Sequence, residues 1–282
     1  MNRLFGVNLI LFAMNTVPFV FCDSVVSLIN DLHHLRERVP KRSPRYCKIW
    51  KVAINEHFSN RREEKISFEE DYNVEDLKKI KKKYLRISDI AWNGESLSAS
   101  QIELLKFINL WGQRSISSLF IDEGNANPSS EDKERFAEHM KDISFREIDL
   151  FYPYEALLLH HAQAKVIRQL TLHGNWSKDV QPVVEKILLT NPIEVGDISS
   201  SFVFGNDFME KLFDVPCLTS KRKCFTIYND IEMFNGFCNF RPNLQIEKTE
   251  KKVIWKREDG VQVSMELSSY GRTYFDFLKG AV

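Results

Sequence analysis

The sequence predicts a mixed α/β protein, and three observations support this prediction. An apolar helical pattern lies near the amino terminus, strand-like and helix-like segments alternate through the middle, and residues 243–280 are rich in strand-forming residues. The 282 residues are 43% apolar and include only 9 Pro and 11 Gly, which favours a packed core. Because 39 Lys and Arg balance 39 Asp and Glu, no net basic charge favours nucleic acid or a membrane surface.

The amino-terminal helix is predicted from "VPFVFCDSVVSLI" at 17–29. Its apolar side chains recur at three- and four-residue steps, with Ser24 and Ser27 on the other side. No charged residue occurs from Leu4 to Cys22, and Arg3 precedes this stretch, as in a signal peptide. The stretch is too short and too interrupted to predict a membrane span. A core helix, a signal segment and a surface covered by another protein all remain open.

A resemblance extends these observations. The helix and the downstream "YCKIWKVAINEHFSNR" (46–61) together resemble the opening of the large nematode families of F-box and F-box-associated proteins. The resemblance implies a helical module over 14–62 that binds a Skp-type linker protein in cullin-based ubiquitin ligases. Residues 1–13 would then be an extension or a signal-like segment. "RERVPKRSPRY" (36–46) stands where a standard F-box has leucines and an arginine-rich helix. The implied linker-binding residues are Pro18, Phe21, Val25 and Ile29, and Trp50 is implied to hold the module together.

Residues 63–84 are predicted to form a polar connector and helix, because acidic residues come first and lysines follow, which suits a helix dipole. From 85 to 230 the predicted strands and helices then alternate. The strands are predicted at 85–92, 116–122, 145–151, 166–174, 193–204 and 224–230, and the helices at 98–112, 129–142, 154–165, 177–190 and 206–214.

This alternation repeats every 21 to 31 residues, and each unit has one short strand and one amphipathic helix. The period and content predict irregular, leucine-rich-repeat-like units, in which stacked neighbours bury what one unit cannot. A conventional α/β layer stays open, because alternation of strands and helices equally predicts a parallel sheet with covering helices.

The carboxyl-terminal region is predicted to be β-rich over 243–280. Asp259-Gly260 lies between "KKVIW" and "VQVSMEL", and such a pair favours a type I′ hairpin turn. "GRTYFDF" (271–277) predicts a third strand. This region either caps the edge of the repeat body or forms a small binding face of its own.

The sequence predicts neither an enzyme nor a metal or cofactor site. His160 and His161 are adjacent on a predicted helix and point about 100° apart, so they do not suit one metal ion. No HExxH, GxSxG, GxGxxG or CxxC occurs. The five cysteines, at positions 22, 47, 217, 224 and 238, are interpreted as reduced thiols, and disulfides within the 217–238 cluster are the alternative if the protein is secreted. A hydrolase whose residues come together only in space stays open, because sequence order does not reveal a triad.

The leading functional prediction is a cytoplasmic or nuclear protein-interaction adaptor: an F-box-type substrate-recognition subunit of a cullin-based ubiquitin ligase. Its predicted partners are a Skp-type linker and a client protein, without a small-molecule substrate. The alternative is a secreted, repeat-type binding protein with a cleaved signal peptide and a sugar on Asn175 of "NWS". The mature amino terminus distinguishes the two hypotheses.

Overall fold

The protein is described by a computed structural model. The described residues are 25, 47–69, 72–111, 115–122, 128–162, 167–198, 202–215, 223–228, 231–237, 239–268 and 272–279. They divide into two compact units. One comprises Met1–Glu64 and Asn73–Arg86, and the other comprises Lys65–Tyr72 and Ile87–Val282.

The described residues form eight α-helices and one eleven-stranded sheet, so the fold is mixed α/β as predicted. The helices are α1 (Cys47–Asn60), α2 (Val74–Lys79), α3 (Ala99–Trp111), α4 (Ser130–Met140), α5 (Glu155–His161), α6 (Gln181–Thr190), α7 (Asn206–Asp214) and α8 (Ile231–Phe237). The strands are β1 (Arg62–Ser67), β2 (Leu85–Trp92), β3 (Ser115–Ile121), β4 (Ser144–Phe151), β5 (Gln169–His173), β6 (Val195–Ile198), β7 (Lys223–Tyr228), β8 (Gln245–Lys248), β9 (Lys252–Lys256), β10 (Val261–Leu267) and β11 (Arg272–Lys279).

The first unit contains α1, α2 and the opening residues of β1 and β2. His57 of α1 is fully buried and meets the ring of Tyr84 edge-on, with ring centroids 5.2 Å apart. Glu56 accepts hydrogen bonds from the Tyr84 hydroxyl and, at 3.0 Å, from Lys83 Nζ. Because these groups come from α1 and from the residues just before β2, they join the two segments of this unit.

The sheet of the second unit follows the chain through its parallel part. Strands β2 to β7 lie side by side in sequence order, and each pairs in parallel with the next. Strand β11 then pairs antiparallel with β7, and β10, β9 and β8 follow it outward. Each strand from β3 to β7 lies on the same side of the strand that precedes it in the chain. Because crossover connections between parallel strands are right-handed, the connecting helices all lie on one face of the sheet.

Ring contacts show which face the helices cover. Trp92 of β2 stacks on Phe136 of α4 at 4.4 Å, and Phe145 of β4 meets His161 of α5 edge-on at 5.1 Å. Farther along, Trp255 of β9 meets Phe213 of α7 at 5.8 Å. These inward side chains are fully or almost fully buried, so the apolar core lies between the sheet and this single layer of helices.

Capping and apolar spacing explain where the helices form. The Ser129 side chain accepts a hydrogen bond from the Asp132 N–H at 3.1 Å, and two acids occupy the first turn of α4. Helix α7 buries Phe208, Met209, Leu212 and Phe213, which recur at helical spacing. Each helix therefore turns one apolar stripe toward the sheet.

The structure differs from the prediction over residues 63–84. The predicted connector helix is replaced by strand β1 and by α2, which has only six residues. Ile66 and Phe68 are buried at alternate positions, so the local period is that of a strand. The surrounding charged residues concealed this alternation in the sequence.

The carboxyl-terminal hairpin forms as predicted, but its turn type was predicted wrongly. Strands β9 and β10 pair antiparallel, and β11 supplies the third strand. A type I′ turn needs positive φ at both central residues, whereas here Gly260 has φ +80° and Asp259 does not have a positive φ. The Gly260 N–H donates to the Arg257 carbonyl at 3.1 Å, and the Arg257 N–H donates to the Val261 carbonyl at 2.9 Å. This pattern is a three-residue loop with a glycine bulge.

Candidate binding face

The sheet has one face that the helices α3 to α8 do not cover, and two rows of outward side chains cross it. The first outward row, read by register from β2 to β11, is Asp89, Ser118, Glu147, Gln169, Val195, Cys224 and Asp276. The second outward row is Ala91, Phe120, Asp149, Thr171, Asp197, Thr226 and Tyr274. Every one of these side chains is half-buried or exposed. We call these two rows the open face.

The same strands are apolar on their other side. The residues between the two outward rows are Ile90, Leu119, Ile148, Leu170, Gly196, Phe225 and Phe275, and all of them are buried. This division follows from the two-residue period of a strand, which sends alternate side chains to opposite faces. The helices bury one face, and polar residues can occupy the other.

The two rows of the open face contain five acidic residues and no lysine or arginine, and the exposed Arg146 and Arg168 directly precede Glu147 and Gln169 of the first outward row. The acidic positions are Asp89, Glu147, Asp149, Asp197 and Asp276. The chain as a whole has equal numbers of acidic and basic residues. The two rows are therefore more acidic than the chain as a whole, with arginines at one border of the first outward row.

The acids differ in how far neighbours neutralise them. Asp89 accepts hydrogen bonds from the Ser118 and Ser88 hydroxyls and lies 3.7 Å from Lys65 Nζ. By contrast, Glu147 and Asp197 form no ion pair within the described ranges. The centre of the face thus holds carboxylates whose charge is available to a ligand.

Asp149 lies at this centre beside a histidine. Its Oδ1 atom is 3.2 Å from His173 Nε2, which is ion-pair distance, but the two atoms lack hydrogen-bond geometry. Burial raises the pKa of the Asp149 carboxyl, Asp122 and Asp197 add to the rise, and His173 opposes it. Asp122 and Asp197 therefore both repel the Asp149 carboxylate, and a cation placed beside Asp149 would offset that repulsion.

Aromatic rings lie among these carboxylates. Phe120 is 40% exposed and Tyr274 is 37% exposed, both in the second outward row. At the carboxyl ends of β4 and β5, Phe151 stacks on His173 with ring centroids 4.4 Å apart. Exposed rings next to carboxylates provide a surface on which alkyl stems and cationic groups can pack.

The residues implied by the F-box resemblance are only partly described by the structure. Pro18, Phe21 and Ile29 fall outside the described residues. Val25 is helical and half-buried, and Trp50 is half-buried in α1. Asn175 is exposed between β5 and α6, next to the buried Trp176.

The histidine pair separates as helical geometry requires. His161 is buried against Phe145, and His160 is exposed on the other side of α5. Burial lowers the pKa of His161 from 6.5 to about 4, and the nearby His160 adds to the shift. Across the described residues, no three His, Cys, Asp or Glu side chains are grouped to hold a metal ion.

Sequence reasoning missed the open face, although a signal was present. An aspartate followed by Ile or Leu recurs in three strands, in "SDI", "IDL" and "GDI" at Asp89, Asp149 and Asp197. Aspartate is depleted in strands, so its recurrence at outward positions needs an explanation other than strand propensity. Only the sheet register shows that the aspartates of different strands lie on one face.

Comparison with protein-family models, with curated proteins and with solved structures finds no match to this chain. Of the helices in the described ranges, none has both the length and the apolar character needed to cross a membrane.

Proposed function

We propose that this chain is a protein-interaction adaptor of the F-box type, with a linker-binding helix near its amino terminus and a repeat-like body that selects a client protein. The body is leucine-rich-repeat-like in this proposal, and the open face is its client-binding surface. The function is recognition, without chemistry at a catalytic site or a cofactor.

The observation that carries the client-binding half is the strict chain order of β2 to β7 with helices on one face. Such stacking leaves the outward rows available along the whole run of strands. A conventional doubly wound sheet instead reverses its strand order and covers both faces. An extended uncovered sheet face suits recognition of a polypeptide better than enclosure of a small substrate.

The linker-binding half is supported by the amino-terminal pattern. In the sequence, Phe21 and Val25 share one apolar helical face, and Val25 is helical and only half-buried. An apolar helix face is the kind of surface that enters a partner's groove.

A pull-down with a Skp-type linker tests this half directly. The full chain is expected to bind, and Phe21→Asp or Val25→Asp is expected to weaken binding about a hundredfold, because an unpaired carboxylate buried in an apolar groove costs on the order of 3 kcal/mol. Ser27→Asp is the matched control, since it adds the same charge to the polar side of the predicted helix. Binding that all three variants retain would remove the linker-binding role from this helix.

A second candidate is a secreted, repeat-type binding protein, and the exposure of Asn175 favours it. Glycosylation requires an accessible asparagine in Asn-X-Ser/Thr, and "NWS" provides one in a surface loop. Mass spectrometry of the native protein separates the candidates: a sugar on Asn175 with cleavage near Cys22 supports secretion, and an unmodified Asn175 with an intact start at Met1 or Met14 supports the adaptor.

A further inference from the structure

The open face combines three features that together define a partner. It is an uncovered sheet surface, it carries carboxylates without lysine or arginine in either outward row, and it exposes aromatic rings between those carboxylates. A partner that fits all three must be extended, positively charged and able to lay alkyl stems against rings.

We infer that the open face binds an extended polypeptide segment rich in lysine and arginine. This inference rests on the proposed client-binding role of the open face and names the chemistry of the client. Lysine and arginine side chains supply cationic ends for the carboxylates and apolar stems for Phe120 and Tyr274.

The spacing of the carboxylates suits such a segment. Neighbouring strands lie about 4.8 Å apart, so acids two strands apart in one row are separated by about 10 Å. Asp89 and Glu147 have this separation in the first outward row, and Asp149 and Asp197 have it in the second. From β2 to β11 the rows cross six strand spacings, about 29 Å, which an extended segment of about nine residues spans.

The centre of the face is where binding should be strongest. Glu147 and Asp197 have no ion pair in the described part of the chain, and Asp149 experiences repulsion from Asp122 and Asp197. A guanidinium or ammonium group placed there gains attraction without breaking an existing ion pair of Glu147 or Asp197. Exposed rings in the same row add cation–π contacts.

Other occupants fit less well. Phosphates of a nucleic acid would meet carboxylates, so like charges oppose that contact. A lone metal ion finds no group of three suitable ligands in the ranges that the structure describes. An acidic polypeptide meets the same repulsion as a nucleic acid.

The test uses the full chain and two labelled ten-residue peptides, measured by fluorescence anisotropy at 0.15 M salt. One peptide contains five residues of Lys and Arg among Ser and Gly, and the other has Glu and Asp at the same five positions. The basic peptide is expected to bind at least tenfold more tightly. No detectable binding of the basic peptide up to 1 mM, or equal binding of both peptides, would overturn the inference.

Paired charge reversals locate the binding surface. The double variant Glu147→Lys with Asp197→Lys is expected to weaken binding of the basic peptide at least tenfold. The control, Glu134→Lys with Glu210→Lys, makes the same change in net charge at exposed positions on α4 and α7. We expect less than a threefold effect from the control, because exposed charges beyond about 8 Å are screened at this salt concentration. Equal weakening by both double variants would exclude the open face as the site.

A neutral variant keeps the test valid if the reversed variant does not fold. The double variant Glu147→Gln with Asp197→Asn keeps the shape of both side chains. We expect it to weaken binding of the basic peptide by about threefold to tenfold, because two charge-assisted contacts are lost. Unchanged affinity in this variant, with a wild-type melting temperature, would also count against the open face.

Linker binding by the same variants separates the two proposals. The open-face variants are expected to retain the Skp-type linker, since they leave the amino-terminal helix unchanged. A chain that binds the linker but no basic peptide refutes this inference and leaves the adaptor role. A chain that binds the basic peptide through Glu147 and Asp197 but no linker refutes the ligase role and leaves the binding face.

Discussion

The two faces of the parallel strands are built from adjacent residues of the same strands, yet they differ completely in chemistry. On the covered face, Leu119, Leu170 and Phe225 are sealed under helices. On the open face, the next residues along the strands are polar, acidic or exposed aromatic side chains. Since the strand period assigns alternate residues to each face, stability and recognition can be changed independently. The covered face holds the fold together, and the open face can vary with the partner.

The largest expected contrast comes from removing one ring on each face. Phe225→Ala is expected to lower the free energy of unfolding by about 3–5 kcal/mol, because it empties a buried site beside Phe277, whose ring centroid is 5.8 Å away. Phe120→Ala removes a ring of the same size from the open face and is expected to change stability by less than about 1 kcal/mol. Urea unfolding measures both. Similar losses in the two variants would contradict the division between the faces.

A somewhat smaller effect is expected from pH at His161, under the covered face. Its folded pKa of about 4 lies below the unfolded value of 6.5, so the unfolded chain binds the proton more readily. The stability contributed by neutral His161 is therefore present above pH 6.5 and is lost as the pH falls toward 4, by about 3 kcal/mol in total.

Urea unfolding between pH 7.5 and 4.5 measures this loss. His161→Leu is expected to remove most of it, whereas His160→Gln, at the exposed neighbouring position, is expected to retain it. A wild-type pH dependence in His161→Leu would show that other groups are responsible.

The smallest expected effect concerns close packing at Gly196. A Cβ atom added there would lie 3.0 Å from Phe225 Cδ1, and the ring would have to move. Gly196→Ala is expected to destabilise the protein by about 1–3 kcal/mol. Gly236→Ala in α8 is the control. A Cβ atom added there would lie 3.9 Å from the nearest atoms, those of the Asn206 side chain, and alanine is expected to stabilise the helix by about 0.5–1 kcal/mol. Thermal or urea unfolding should show changes of opposite sign in the free energy of unfolding for the two variants. A stabilising effect of Gly196→Ala would indicate that the packing between Gly196 and Phe225 is looser than the structure shows.

The sequence predicted the body of the fold well, because each element there carries its own period. Residues 85–92 and 206–214 were predicted with the bounds that the structure has. Strand β1 was missed because only Ile66 and Phe68 mark its period among charged residues. The hairpin was predicted, but not its turn, since Asp-Gly serves more than one turn type.

The open face was not predicted because it depends on register between strands that are distant in sequence. Asp149 and Asp197 are separated in the chain by strand β5 and helices α5 and α6, and their proximity follows only from the pairing of β4, β5 and β6. Periodicity identifies the apolar side of each strand, but it does not align the polar sides. The amino-terminal helix face stays a prediction from sequence, since of its four implied residues only Val25 is described.

The position of β11 has a consequence for how the protein forms during synthesis. This strand follows β10 in the chain but lies between β7 and β10 in the sheet. Until residues 272–279 leave the ribosome, β7 keeps an unpaired edge, and β8 to β10 can form only a separate meander. The nascent chain therefore passes through a stage in which a bare strand edge is open to pairing with other chains, and translation of one late strand ends that exposure.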